Sequence, residues 1–144
     1  MSAPTPIPEK RAVTVVVVDD NTEVLELAQR FLERHGFAVV TTSLPARASK
    51  LVREVDPDII VLDVTMPGMD GEYLSRILRS DPANDPIPIV FYTALDIDEI
   101  SQWMRDIPGS KWVAKSEGIK SLHACIVSLL AIRHATMPAP GSLP

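Results

Sequence analysis

Five side chains in this sequence can share one piece of chemistry: Asp19, Asp20, Asp63, Thr93 and Lys115. Each stands at the end of a short apolar run. Asp19 and Asp20 close Val13–Val18, Asp63 closes Asp58–Leu62, Thr93 closes Ile87–Tyr92, and Lys115 closes Lys111–Ala114. In an open parallel sheet, sites form beyond the carboxyl ends of the strands, so the five would meet along one edge. If the first and third strands are neighbours, about 4.8 Å apart, Asp20 and Asp63 repel each other. Such a pair raises a pKa or recruits a cation. Magnesium suits it, because it takes one or two carboxylates plus phosphate oxygens and keeps several waters. Lys115 adds a fixed positive charge and Thr93 a hydroxyl. Phosphoryl transfer needs little beyond an in-line attacker and stabilised charge, and an attacking aspartate gives an acyl phosphate.

The elements that must position these groups are legible from periodicity. The four runs above and Phe37–Thr41 are rich in Val and Ile with little polar alternation, which marks strands buried on both faces of a parallel sheet. Between them, apolar residues recur at three-and-four spacing over 21–35, 45–55, 70–79, 96–105 and 118–133, which predicts five helices. Gly36 stands just past the first as a C-terminal stop. Five strands alternating with five helices predict an α/β doubly wound five-stranded parallel sheet, with the flavodoxin-like strand order 2-1-3-4-5 as the arrangement that makes strands one and three neighbours.

Composition narrows the function classes. The chain has 144 residues, 46% hydrophobic and 23% charged, and a formal net charge of -5. One domain of this size buries a real core, and the acidic balance argues against a nucleic-acid-binding surface. Cys125 is the one cysteine, so no intrachain disulfide and no cysteine-based zinc site is available, and a reducing, cytoplasmic setting is expected. No apolar run approaches the length of a membrane span. Prolines punctuate both ends, at 4, 6 and 8 and at 138, 140 and 144. The expected organisation is therefore a flexible tail over 1–11, one domain over 12–133, and a flexible tail over 134–144.

Four motifs, each at the end of a predicted strand, resemble those of the bacterial response-regulator receiver domain, the chemotaxis-regulator-like module of two-component signalling. They are Val15-Val16-Val17-Val18-Asp19-Asp20-Asn21, the stretch from Asp58 through Asp63 to Gly71, Pro88 to Ala94, and Lys111 to Lys115. The resemblance covers roughly 12–133. It implies that Asp63 is the phosphoacceptor. It implies that Asp20 ligates Mg2+ directly, Asp19 through water, Asp63 directly, and Thr65 through its backbone carbonyl. Lys115 pairs with the phosphoryl group, Thr93 is the switch hydroxyl, and Trp112 takes the place of the switch aromatic.

The implied donor is a sensor histidine kinase or a histidine phosphotransfer protein. The implied chemistry is magnesium-dependent self-phosphorylation, also from small phosphodonors, followed by autodephosphorylation, rather than conventional enzymatic turnover. The implied output surface is the fourth helix, fifth strand and fifth helix, which also serves homodimers. Ser116 follows Lys115 where the family usually has proline, so a trans bond is expected there. The loop over 109–111 is one residue short of the family's pattern.

Taken singly, each of these residues has an ordinary explanation. Asp19 and Asp20 suit a helix N-terminus, Thr93 a cap, and Lys115 a solvated surface; in sequence order and together they point to a site. A receiver that has lost its phosphate response and acts only as a protein-interaction module is the alternative. An aspartyl hydrolase fits poorly, because Thr65 stands where its second aspartate belongs. His35, His123 and His134 have no ligand spacing and read as surface or helix-end residues. Cys125 reads as a small core residue, and Trp103 as packing with interface potential. No effector domain is visible after about residue 133, so the module acts alone through protein contacts, or as a piece of a longer protein whose output partner or effector lies elsewhere.

Overall fold

The computed structural model describes residues 12–67, 69–70, 87–105 and 107–136, with side chains through 132. Five strands form one parallel sheet: β1 Thr14–Val18, β2 Ala38–Thr42, β3 Ile59–Leu62, β4 Ile89–Thr93 and β5 Lys111–Ala114, in the order β2-β1-β3-β4-β5. This is the predicted order. Four α-helices are described: α1 Thr22–Arg34, α2 Pro45–Val55, α3 Ile97–Arg105 and α4 Ile119–Thr136. The helix expected over 70–79 lies almost wholly outside the described residues, as do both tails apart from 134–136.

Each strand is read twice. In β1, Val16 and Val18 enter one core while Val15 and Val17 enter another. Strand side chains alternate between faces, so the sheet separates two apolar layers. One packs Ile60, Leu62, Ile89 and Phe91 against Ala48 and Val52 of α2 and Ile100 of α3. The other packs Ile59, Val61, Val90, Tyr92 and Val113 against Leu25, Ala28 and Leu32 of α1 and Leu122, Ile126 and Leu129 of α4. The three central strands are almost wholly buried, whereas β2 is half-buried throughout and β5 nearly so. Strands at the two edges lack a neighbour on one side, so they do not reach the burial expected for every run.

Local chemistry sets the helix limits. Asn21 caps α1, its Oδ1 accepting from the amides of Glu23 at 3.0 Å and Val24 at 3.4 Å, and Gly36 takes φ +89° beyond the last turn. Pro45 opens α2, and Asp56 closes it in the left-handed region at φ 50°, which aspartate tolerates better than most residues. Asp96 and Glu99 form a reciprocal box at the start of α3, with Glu99 N donating to Asp96 Oδ1 at 2.9 Å. The last helix continues through Thr136, beyond the expected limit at 133. Nothing between 133 and 136 breaks a helix; the first breaker is Pro138, which also disfavours helical geometry at the residue before it. No helix among the described residues is long and apolar enough to cross a membrane.

Candidate phosphoacceptor site

Register explains why the acidic groups meet. Val18 pairs with Leu62, so the next residues, Asp19 and Asp63, emerge side by side, and Asp63 N donates to Val18 O at 3.0 Å. Leu62 pairs with Phe91, and Thr93 with Ala114. Thr93 and Lys115 therefore leave the same edge of the sheet. Asp19 and Asp63 are 1% and 2% exposed, while Asp20 faces solvent.

Lys115 ties the two buried carboxylates together. Its Nζ lies 2.8 Å from Asp63 Oδ2 and 2.8 Å from Asp19 Oδ2. The outer oxygens are also occupied. Asp19 Oδ1 accepts from the Asn21 amide at 2.9 Å. Asp63 Oδ1 accepts from the Thr65 amide at 3.0 Å and from the Thr65 hydroxyl at 2.8 Å.

The two carboxyls titrate in opposite directions. Burial pushes Asp19 above the ordinary carboxylate value, and the bonds from Lys115 and Asn21 offset it only in part. Burial pushes Asp63 up too, but Lys115 and the two donors of Thr65 outweigh it and hold the carboxyl below its ordinary value. Lys115 loses solvation by burial, which lowers its pKa, yet its two carboxylate partners raise it overall.

One carboxylate oxygen from each of Asp19, Asp20 and Asp63 lies within 4.8 Å of the others. All are hard oxygen donors. Magnesium bonds of about 2.0–2.1 Å hold ligand oxygens roughly 3–4 Å apart, so the trio fits around one ion with little movement. The arrangement can neutralise and orient an anionic group opposite a buried carboxylate.

The remaining predicted residues are carried by β4 and β5. Thr93 is fully buried at the end of β4, and its hydroxyl accepts from the Leu95 amide at 3.3 Å. Trp112 is half-buried against the α2/α3 layer, and its Nε1 is buried with no hydrogen-bond partner among the described residues. The described residues contain no cis peptide bond. Lys115 instead starts a short 3-10 turn through Glu117, closed by Gly118 N donating to Lys115 O at 3.1 Å. Serine in place of proline does not prevent the lysine from reaching both carboxylates.

As a ligand Thr65 is expected to act through its backbone carbonyl; the bond from its hydroxyl to Asp63 is an addition the structure makes. The signal was present in the Asp-x-Thr spacing, since short polar side chains bond across two residues in turns. The same spacing in Asp19-x-Asn21 places the amide on Asp19.

With the geometry in hand, comparison with known proteins places the chain. Residues 15–127 match the family model described as the response regulator receiver domain. The chain belongs to that family, and so to the modules of two-component response regulators. It is 26% identical to Protein PilH of Pseudomonas aeruginosa over 81% of this chain and 97% of PilH. It is 30% identical to the alkaline phosphatase synthesis transcriptional regulatory protein PhoP of Bacillus subtilis, over 89% of this chain and 52% of PhoP. The chain thus spans nearly all of one relative, about half of another, and far less of some others. The fold matches a CheY-like receiver domain protein from Methanospirillum hungatei with a TM-score of 0.77 at 17% identity, covering 88% of this chain and all of that one. Receiver domains of this family typically hold Mg2+ in an acidic pocket, and the Asp19, Asp20 and Asp63 cluster is such a pocket by composition.

Proposed function

We propose that this chain is a working phosphoacceptor: Asp63 takes a phosphoryl group from a phosphohistidine on a sensor histidine kinase or a histidine phosphotransfer protein, and the modification switches a partner-binding surface. The observation that carries this reading is the position of Lys115 Nζ, 2.8 Å from Asp63 Oδ2 and 2.8 Å from Asp19 Oδ2, beside a third carboxylate. Asp63 is a buried carboxylate with a cation held against it.

Mg2+ would be held by Asp19, Asp20 and Asp63 with the backbone carbonyl of Thr65, and when bound it supplies positive charge that neutralises phosphoryl oxygens. An Asp63 oxygen forms the bond to phosphorus as the bond from phosphorus to the donor imidazole nitrogen breaks. The electron pair leaves with the imidazole, which is then protonated. The product is an acyl phosphate; attack by water reverses the modification and accounts for autodephosphorylation.

Lys115 then transfers its hydrogen bonds from carboxylate to phosphoryl oxygen. The added group carries about -1.5 to -2 charges and strong acceptor oxygens, which Thr93 approaches by giving up its bond with Leu95. Trp112, on the same side of the sheet, follows into the space vacated. The surface of α3, β5 and α4 changes as a result. An open acidic groove lined by Leu95, Asp96, Asp98, Glu99 and Trp103 lies on it, and this is the face for a downstream protein, an attached effector or a second copy. A cytoplasmic site of action accords with such a kinase.

The test is intact mass after incubation with acetyl phosphate. One added phosphoryl group is expected with magnesium, none with a chelator, and none for Asp63→Asn. A folded protein that gains no mass with magnesium present overturns the reading in favour of a phosphate-independent interaction module.

A further inference from the structure

Nothing in the phosphoacceptor chemistry uses the histidines, and in the sequence His35 and His123 are far apart. The fold brings them into contact. His35 caps the C-terminus of α1 and His123 lies near the start of α4. Their ring centroids are 4.2 Å apart with planes tilted by 40°. Phe31 stacks on His35 at 4.6 Å, and the edges of Phe31 and Phe37 meet His123 at 5.6 and 5.9 Å.

Three features suit this pair to a ligand. His35 Nδ1 lies 2.8 Å from the carbonyl oxygen of Phe31. A carbonyl only accepts, so Nδ1 carries a proton, and the neutral ring is the tautomer whose Nε2 holds the lone pair, on a residue exposed to solvent. Metal-binding histidines share this feature, one nitrogen donating to a backbone carbonyl and the other left free. His123 is held toward its neutral form, by burial first and by His35 second, so a proton is more easily displaced there. Zinc–nitrogen bonds of about 2.0–2.1 Å place the centroids of two ligating rings roughly 4.5–5.2 Å apart, within about 1 Å of the separation found.

We propose that His35 and His123 form a bis-histidine site for a borderline divalent transition ion of the zinc or nickel class, with water completing the coordination. Donor chemistry separates it from the aspartate cluster, since imidazole suits zinc and nickel whereas carboxylate and water suit magnesium. Among the described residues, no third histidine, cysteine or carboxylate joins the pair in a metal-holding group. The site therefore acts as a clamp between α1 and α4 and not as a closed structural centre.

The test uses the full chain in excess magnesium, which fills the aspartate cluster. Zinc is added while the imidazole nitrogen resonances and the thermal midpoint are followed. The expected result is that His35 and His123 shift together, saturating at one ion per chain, while His134 stays still and the midpoint rises. His35→Gln and His123→Gln should each weaken zinc binding by at least the roughly 10–100-fold that loss of an outer-shell partner costs. His35 is exposed, so its variant keeps the fold and carries the test even if His123→Gln does not. The proposal is overturned if neither resonance moves, if only one moves, if His134 moves in their place, or if zinc stabilises His35→Gln as it does the unsubstituted chain.

Discussion

Replacing Lys115 with methionine keeps much of the stem and removes the charge that lies between two buried carboxylates. Asp19 and Asp63 are 1% and 2% exposed, so neither can turn to water for compensation without moving. Their nearest oxygens are no more than 4.8 Å apart, and two unit charges at that distance repel by about 3.5 kcal/mol at an effective dielectric of 20. Removing one partner of a buried pair costs about 3–5 kcal/mol in general. The lysine side chain is 22% exposed, so the lower end, about 3 kcal/mol at neutral pH, is expected.

The pH dependence should also change. In the unsubstituted chain, Asp63, lowered, contributes stability that is present above 3.8 and lost as pH falls through its folded value. Lys115, raised, contributes stability that is present below 10.5 and lost as pH rises through its folded value. Asp19 is raised and has the opposite sign to Asp63: its contribution shrinks as pH climbs through the window just above 3.8. In Lys115→Met, both carboxyls move up. The variant should then gain stability as pH falls from neutrality and one of them takes up a proton.

Magnesium should stabilise the variant more than the parent, because the ion supplies the missing charge and binds only the folded state. Urea denaturation in chelator and in magnesium, at neutral pH and near pH 5, reads all three effects. A variant as stable as the parent in chelator at neutral pH, with no gain on acidification, would refute the claim that the two carboxylates share one buried cation.

Two other substitutions probe the neighbouring groups. Thr65→Val deletes the hydroxyl on Asp63 Oδ1 but keeps the backbone amide there; the Asp63 carboxyl should rise toward its ordinary value, followed by carbon NMR titration, and stability at neutral pH should fall by about 1 kcal/mol. Trp112→Phe removes an indole N–H that is buried with no partner among the described residues. An unmade buried hydrogen bond costs about 1–3 kcal/mol and the smaller ring gives back some packing, so stability in urea should be unchanged or higher, where a loss above about 2 kcal/mol would contradict the orphaned donor.

Much of this was legible in the sequence for identifiable reasons. The runs of Val and Ile marked strands because a residue buried on both faces leaves no polar alternation, and the strand ends carried the site because register sets neighbours side by side. What the sequence did not carry is side-chain reach. That Lys115 bridges Asp19 as well as Asp63, from a trans turn, depends on how a flexible stem crosses between strand ends. The orphaned Nε1 of Trp112 depends on packing between β5 and the layer beneath α3. The contact of His35 with His123 depends on how α1 and α4 lie together, which no spacing within either helix reveals. The last helix runs past the expected limit at 133 because Arg133, His134, Ala135 and Thr136 include no glycine or proline to stop it.

The alternation along β1 and β4 has a consequence for what this domain can report. Thr93 shares its parity with Phe91, whose ring lies in the layer that also holds Trp112 and Trp103, while Tyr92 belongs to the layer that joins α1 to α4. The sheet is thus a partition with the Asp19, Asp63 and Lys115 cluster on its rim. Odd-numbered positions of β4 speak to one side and its even-numbered positions to the other. Thr93 shares its face with the α3 layer, while the histidine pair lies with the α1 and α4 layer on the other face. Two inputs, one phosphoryl and one ionic, would then reach a single small chain from opposite faces of one sheet, with α4 as the element they share.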